Sequence, residues 1–259
     1  MQASRSILTR FRPLNASRCT IAALRHGNRY LPVTTRLFSS RGNGGIAINS
    51  HPTGAASDTL IYPEAPTTAH SDLASFLDYA RRTGLDTAST TFVGTHFEYT
   101  VASALLPFGF RLHRVGGQSD HGIDLLGTWS VPSSASQPLR VLLQCKASKK
   151  PGPHLVRELE GAFVGAPSGW RGSGVLGLLV IERPATRGMR DAVGRSRWPM
   201  GCISCSRVGK VEQILWNRRA EEEGLAGMGV GTRYSSGEEE AHHLVLTFKG
   251  KQVSVVKSD

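Results

Sequence analysis

The sequence predicts an α/β fold, a central mixed sheet flanked by helices in the order αβββαβαβ, followed by a C-terminal β-hairpin. Three observations carry this expectation. Between Phe110 and Lys146 three strand-like runs follow one another through turns and loops too short for a crossover helix, which describes a meander. Val175–Ile181 is apolar without alternation, so that strand is covered on both faces. Helical segments occur on either side of it, in residues 153–163 and 185–197, so helices flank the sheet.

Taken in order, Leu73, Phe76, Leu77 and Ala80 repeat at helical spacing and open the ordered part of the chain. Residues 91–107 place Phe92, Val93, Phe97, Val101, Ala104 and Leu105 on a helix, with Gly94 and Thr95 as a cap, Glu98 off the apolar stripe, and Pro107 and Gly109 as the stop. Residues 110–115 alternate as a strand, Gly116 and Gly117 turn the chain, and residues 121–127 form the next strand. A loop rich in Pro and Ser, residues 130–138, leads to Leu139–Lys146. Strand side chains alternate between faces, so Gln144 and Lys146 share one side while Leu143 and Cys145 take the other. Pro153 suits a first helical position, and Leu155, Leu159 and Phe163 follow four apart. Residues 185–197 read as a basic helix and 201–205 as a short strand, and residues 211–217 are able to extend the core. The Gly- and Glu-rich stretch 221–240, including the glycine run 227–231, reads as a solvated loop, and residues 243–248 and 252–256 as the terminal hairpin.

Charge divides the chain sharply. The net charge is +11, yet the first 57 residues hold eight arginines and neither lysine nor acid. Without them 23 basic residues face 20 acidic ones, a net of +3, so overall charge gives a nucleic-acid partner only weak support. Arg-rich, Ser-rich, acid-free composition describes a mitochondrial transit peptide, and Arg36-Leu37-Phe38 before Ser39 resembles a matrix-protease cleavage pattern. The expected organisation is a transit peptide over residues 1–38, a flexible linker over 39–70, a core domain over 71–206 and a C-terminal extension over 207–259. The expected location is the mitochondrial matrix, with no membrane span because no apolar run is long enough. Oligomeric state is not legible. Cys202 and Cys205 have the spacing of a zinc half-site, but only His242 and His243 are left to complete it, so buried strand thiols are the better reading. The G-x-G-x-x-G match at residues 172–177 precedes a strand and opens no helix, so it lacks the geometry that binds phosphate.

The chemistry concentrates on Asp124, Gln144 and Lys146. A carboxylate beside a strand that offers an amide oxygen and an ammonium suits a hard cation and a phosphate. Residues 116–125 followed by Gln144-Cys145-Lys146 resemble the PD-(D/E)xK restriction-endonuclease-like superfamily, in its Mrr-type branch with glutamine in place of the acid. That resemblance, over roughly residues 90–206, implies a restriction-endonuclease-like core that cleaves phosphodiester bonds in DNA. It implies Mg²⁺, with Mn²⁺ as substitute, held by Asp124, Gln144, the Cys145 carbonyl and Glu98, and Lys146 acting on the attacking water. Asp120 and His121 are possible assistants, and Arg114, Lys149 and Lys150 are candidate nucleic-acid contacts. With its amino terminus, the chain is similar to the fungal mitochondrial "required for respiratory growth" family, which implies a role in respiratory competence without supplying a reaction. Two other readings remain: a non-catalytic nucleic-acid-binding or assembly factor on a degenerate nuclease fold, and a structural Lys146–Asp124 salt bridge.

Overall fold

In the computed structural model, helix α1 (Leu73–Thr83) begins where Asp72 and Ser75 form a reciprocal capping box and ends at Gly84, whose φ of 64° makes a left-handed cap. The structure describes residues 60–116, 122–134, 137–148, 150–235 and 241–253. The transit peptide, most of the linker, Asp120, His121 and Lys149 therefore lie outside the described residues. Helix α2 (Thr90–Leu105) is capped by Ser89, whose hydroxyl accepts the Phe92 N–H at 3.2 Å. Gly94 and Thr95, expected as the cap, lie inside the helix, because Ser89 sits where it satisfies an orphan N–H of the first turn. A short turn at Leu106–Phe108 and Gly109, at φ 89°, then deliver the chain to the sheet.

Six strands make that sheet, in the order of the chain: β1 (Phe110–Arg114), β2 (Leu125–Trp129), β3 (Leu139–Lys146), β4 (Val175–Ile181), β5 (Met200–Cys205) and β6 (Val211–Trp216). The first three form the antiparallel meander, β3, β4 and β5 are parallel, and β6 returns antiparallel to β5. The crossovers are helices α3 (Pro153–Gly165) and α4 (Arg187–Arg195). The fold is thus a mixed α/β architecture with helices on both faces of the sheet, and β6 carries it beyond residue 206.

Alternation along β3 sorts the core into two layers. Val141 and Leu143 pack with Phe97, Val101 and Leu105 of α2, whereas Leu142 packs with Leu155, Leu159 and Phe163 of α3 and with Met189 of α4. Every residue of β4 is buried, as expected of a strand between two helical layers. Cys202 and Cys205, three positions apart on β5, fall in opposite core layers, so they are two separate buried thiols.

The amino-terminal edge differs from the expected linker. Trp170 donates its indole N–H to the Ile61 carbonyl at 2.9 Å, and Tyr62 lies 5.0 Å from the Trp170 ring and 4.5 Å from His113. Gly, Ser and Pro dominate this region, but the isolated Leu60 and Tyr62 find apolar surface on the α3 side.

At the other end, residues 227–231, read as a loop, lie mostly in β7 (Met228–Ser235), which pairs antiparallel with β8 (Ala241–Phe248) over eight residue pairs. Met228 and Leu246 anchor this second sheet to the α2-side core, and that burial outweighs the weak strand propensity of Gly229 and Gly231. The C-terminal antiparallel hairpin therefore pairs chiefly β7 with β8, and β9 (Lys251–Gln252) adds a short third strand.

Candidate active site

The site lies where β2 begins and β3 ends. Leu125 is opposite Leu143 in the antiparallel register, which sets Asp124 against Gln144. The Asp124 N–H donates to the Leu143 carbonyl at 2.9 Å, and its own carbonyl accepts the N–H groups of Val115 and Gly116. One carboxylate oxygen accepts the Cys145 N–H at 2.6 Å. Four main-chain contacts thus clamp Asp124 in place, and the bond to Cys145 favours its charged form.

Gln144 is 3% exposed, and its side-chain oxygen has no hydrogen-bond partner among the described residues. Leaving such an acceptor unsatisfied costs about 1–3 kcal/mol. Two glycines shape the space around it. A methyl group on Gly122, at φ 78°, would lie 3.0 Å from the Gln144 amide nitrogen, and one on Gly116 would lie 3.2 Å from an Asp124 carboxylate oxygen. Both positions need hydrogen where a side chain would press on the pair.

Lys146 leaves the same strand face as Gln144, and its ammonium lies 3.3 Å from the Glu158 carboxylate of α3. The lysine is 34% exposed and the glutamate 47%, so the pair is wet and worth little, about 0–1 kcal/mol. Glu158 is a residue that sequence reasoning missed. It lies three positions after the buried Leu155, at the border of the α3 apolar stripe, and only the packing of α3 across β3 shows what it meets.

Glu98 enters from the other side. It belongs to α2, which packs on the Cys145 face, and it is ion-paired with Arg114 of β1. Arg114 also donates to the Thr95 hydroxyl at 3.3 Å and lies 5.7 Å from the centre of the Tyr99 ring. Both members of the pair are nearly buried, so Arg114 serves Glu98 directly. The Cys145 thiol is held well above its ordinary pKa, first by burial and then by the Asp124 and Glu98 carboxylates, with Lys146 opposing. Both acids are therefore felt at Cys145, Asp124 at its backbone and Glu98 from the α2 side. Lys150 follows β3 on an exposed loop.

The donors fit a hard cation of the Mg²⁺ type. A clamped carboxylate and a buried amide oxygen without a partner among the described residues stand beside each other, and a main-chain carbonyl at Cys145 is adjacent. No group of three or more His, Cys, Asp or Glu is arranged to hold a metal among the described residues, so such an ion would keep most of its waters.

The match to the family described as Required for respiratory growth protein 7 covers residues 89–234, more than half of the chain. The chain belongs to this family. The matched span opens at the cap of α2 and ends within β7, so the family region includes the whole first sheet and every residue of the site. An uncharacterized mitochondrial protein of Schizosaccharomyces pombe is 32% identical over 155 residues, 58% of this chain. The chain spans 61% of that relative's length. No solved structure matches the chain.

Proposed function

We propose that this family member is a mitochondrial protein with a restriction-endonuclease-like core, and that it cleaves phosphodiester bonds in DNA with Mg²⁺ or Mn²⁺. One observation carries the reading: the buried oxygen of Gln144, without a partner among the described residues, beside the clamped carboxylate of Asp124, with Lys146 on the same strand. A core that hides an acceptor without a partner has kept it at a cost in stability, and a bound cation is what relieves it. The αβββαβ order around this pair is the order that the superfamily resemblance implies. The mitochondrial setting rests on the arginine-rich amino terminus and on the relative's name, and a role in respiratory growth rests on the family's name.

Asp124, Gln144 and the Cys145 carbonyl would hold the ion, which when bound supplies a Lewis acid for the phosphate and lowers the pKa of a bound water. Lys146, loosely held by Glu158, is free to turn to a phosphate oxygen, where it offsets developing charge and orients the attacking water. Glu98 adds negative charge from the α2 side through water. Arg114 holds Glu98 in place, and the exposed Lys150 would contact the nucleic-acid backbone.

The second reading is a non-catalytic nucleic-acid-binding or assembly factor. The two ion pairs favour it, since Lys146 with Glu158 and Glu98 with Arg114 already give two of the four candidate catalytic residues structural partners. The discriminating experiment incubates purified protein with plasmid, branched and single-stranded DNA in Mg²⁺, Mn²⁺ or chelator. Cleavage that needs metal and disappears in Asp124→Ala supports the nuclease. No cleavage of any substrate replaces it with the binding factor.

A further inference from the structure

Helix α4 is a row of arginines that the site above does not use. Its inward positions, Met189 and Val193, are buried, and Arg187, Arg190 and Arg195 are exposed, with Arg183 before the helix and Arg197 after it also exposed. Arg81, Arg114, Arg207, Arg218 and Arg219 each pair with a carboxylate. None of the five around α4 makes an ion pair among the described residues. Arg190 and Arg195 donate instead to the carbonyls of Ala185 and Asp191, each at 3.1 Å, which props them along the helix without neutralising them. Of the nearby acids, Asp191 is exposed on the helix itself, and Glu160 of α3 accepts the Ser196 hydroxyl at 2.6 Å.

This row begins beside the candidate site. Ile181, the last residue of β4, is the parallel partner of Lys146, and α4 starts six residues later. A methyl group on Gly188 would lie 3.0 Å from the Pro153 ring, so the first turns of α3 and α4 abut at this end of the sheet. From there the helix runs back alongside α3 for about 13 Å, at about 1.5 Å per residue, while one DNA strand presents a phosphate every ~3.4 Å of axis. Along the winding strand the phosphates are further apart than that axial rise, so the helix reaches about two or three of them.

We infer that α4 is a phosphate-backbone ridge that holds the nucleic acid flanking the reactive phosphodiester. Its position relative to the substrate rests on the nuclease reading. Its charge does not. An anionic membrane is the poorer occupant, because the apolar side of α4 is buried in the core and the half-exposed Trp198 is braced against Phe163 at 5.6 Å.

The test compares the full chain with Arg187→Ala/Arg190→Ala/Arg195→Ala, in chelator, on a 30-base-pair duplex across a range of KCl. The eight amino-terminal arginines are common to both proteins, so the difference isolates α4. The expected result is a loss of affinity of roughly ten- to a hundred-fold at low salt, and a salt slope shallower by about 2 to 3, at about 0.9 per lost phosphate contact. The melting temperature should be unchanged, and Arg81→Ala, which removes a paired arginine, should bind like the parent. Equal affinity and slope in the triple variant overturn the ridge, as does loss of binding to anionic vesicles with duplex binding intact. Because no metal is present, a parent that binds through α4 without cleaving leaves the ridge standing and removes only the nuclease.

Discussion

Gln144 shows how far a single residue can be argued from its surroundings. Its oxygen is buried without a partner among the described residues, so Gln144→Met, which keeps the volume and removes the polar atoms, should raise stability by about 1 kcal/mol while abolishing metal-dependent cleavage. Urea denaturation paired with a plasmid-nicking assay checks both halves, and a destabilised variant would mean that the oxygen has a partner. Gln144→Glu should retain or raise cleavage at low Mg²⁺, because a carboxylate strengthens the cation's hold. That Asp124 and Lys146 come from neighbouring strands was legible from strand alternation and order alone. The Glu158 contact and the Arg114–Glu98 pair were not, since each joins residues from separate elements whose packing no local pattern reveals.

At the scale of elements, β2 depends on an approach that only glycine permits. A methyl group on Gly127 would lie 1.9 Å from the Arg111 carbonyl of β1, so Gly127→Ala should separate the first two strands and cost about 3 kcal/mol or more. Thermal unfolding measures it, and a melting temperature within a few degrees of the parent would refute the close approach. Strand β5 carries a second prediction. Burial pushes the Cys202 and Cys205 thiols from an ordinary 9.0 to about 12. In the unfolded chain they ionise near the ordinary value, so the folded state binds protons more tightly and stability falls as pH rises from about 9 through about 12. Denaturation midpoints measured from pH 8 to 11 should decline, and Cys202→Ala should decline less steeply. The alternating and apolar strands of the first sheet were readable from periodicity, whereas β7, with glycines at 229 and 231, is a strand only because β8 and the core receive it.

At the scale of the whole molecule, the described domain and the basic amino terminus answer different questions. Residues 1–38 lie outside the described residues, and arginines without acids suit import by membrane potential, so fusing them to a reporter should deliver it to mitochondria. Mature protein purified from mitochondria should begin near Ser39. An intact Met1 in that preparation would sink the cleavage expectation. No helix among the described residues is long and apolar enough to cross a membrane.

Strand alternation, helical periodicity and turn residues are local signals, so the chain alone set the order of elements in the first sheet and the strand positions of Asp124, Gln144 and Lys146. Tertiary structure alone decided which face each helix covers. It set Gln144 and Lys146 under α3, Glu98 under Arg114 on the α2 side, and the first turn of α4 beside the ends of β3 and β4. Those outcomes depend on how two helical layers close over one sheet, and the burial that closes them is a sum over residues far apart in the chain.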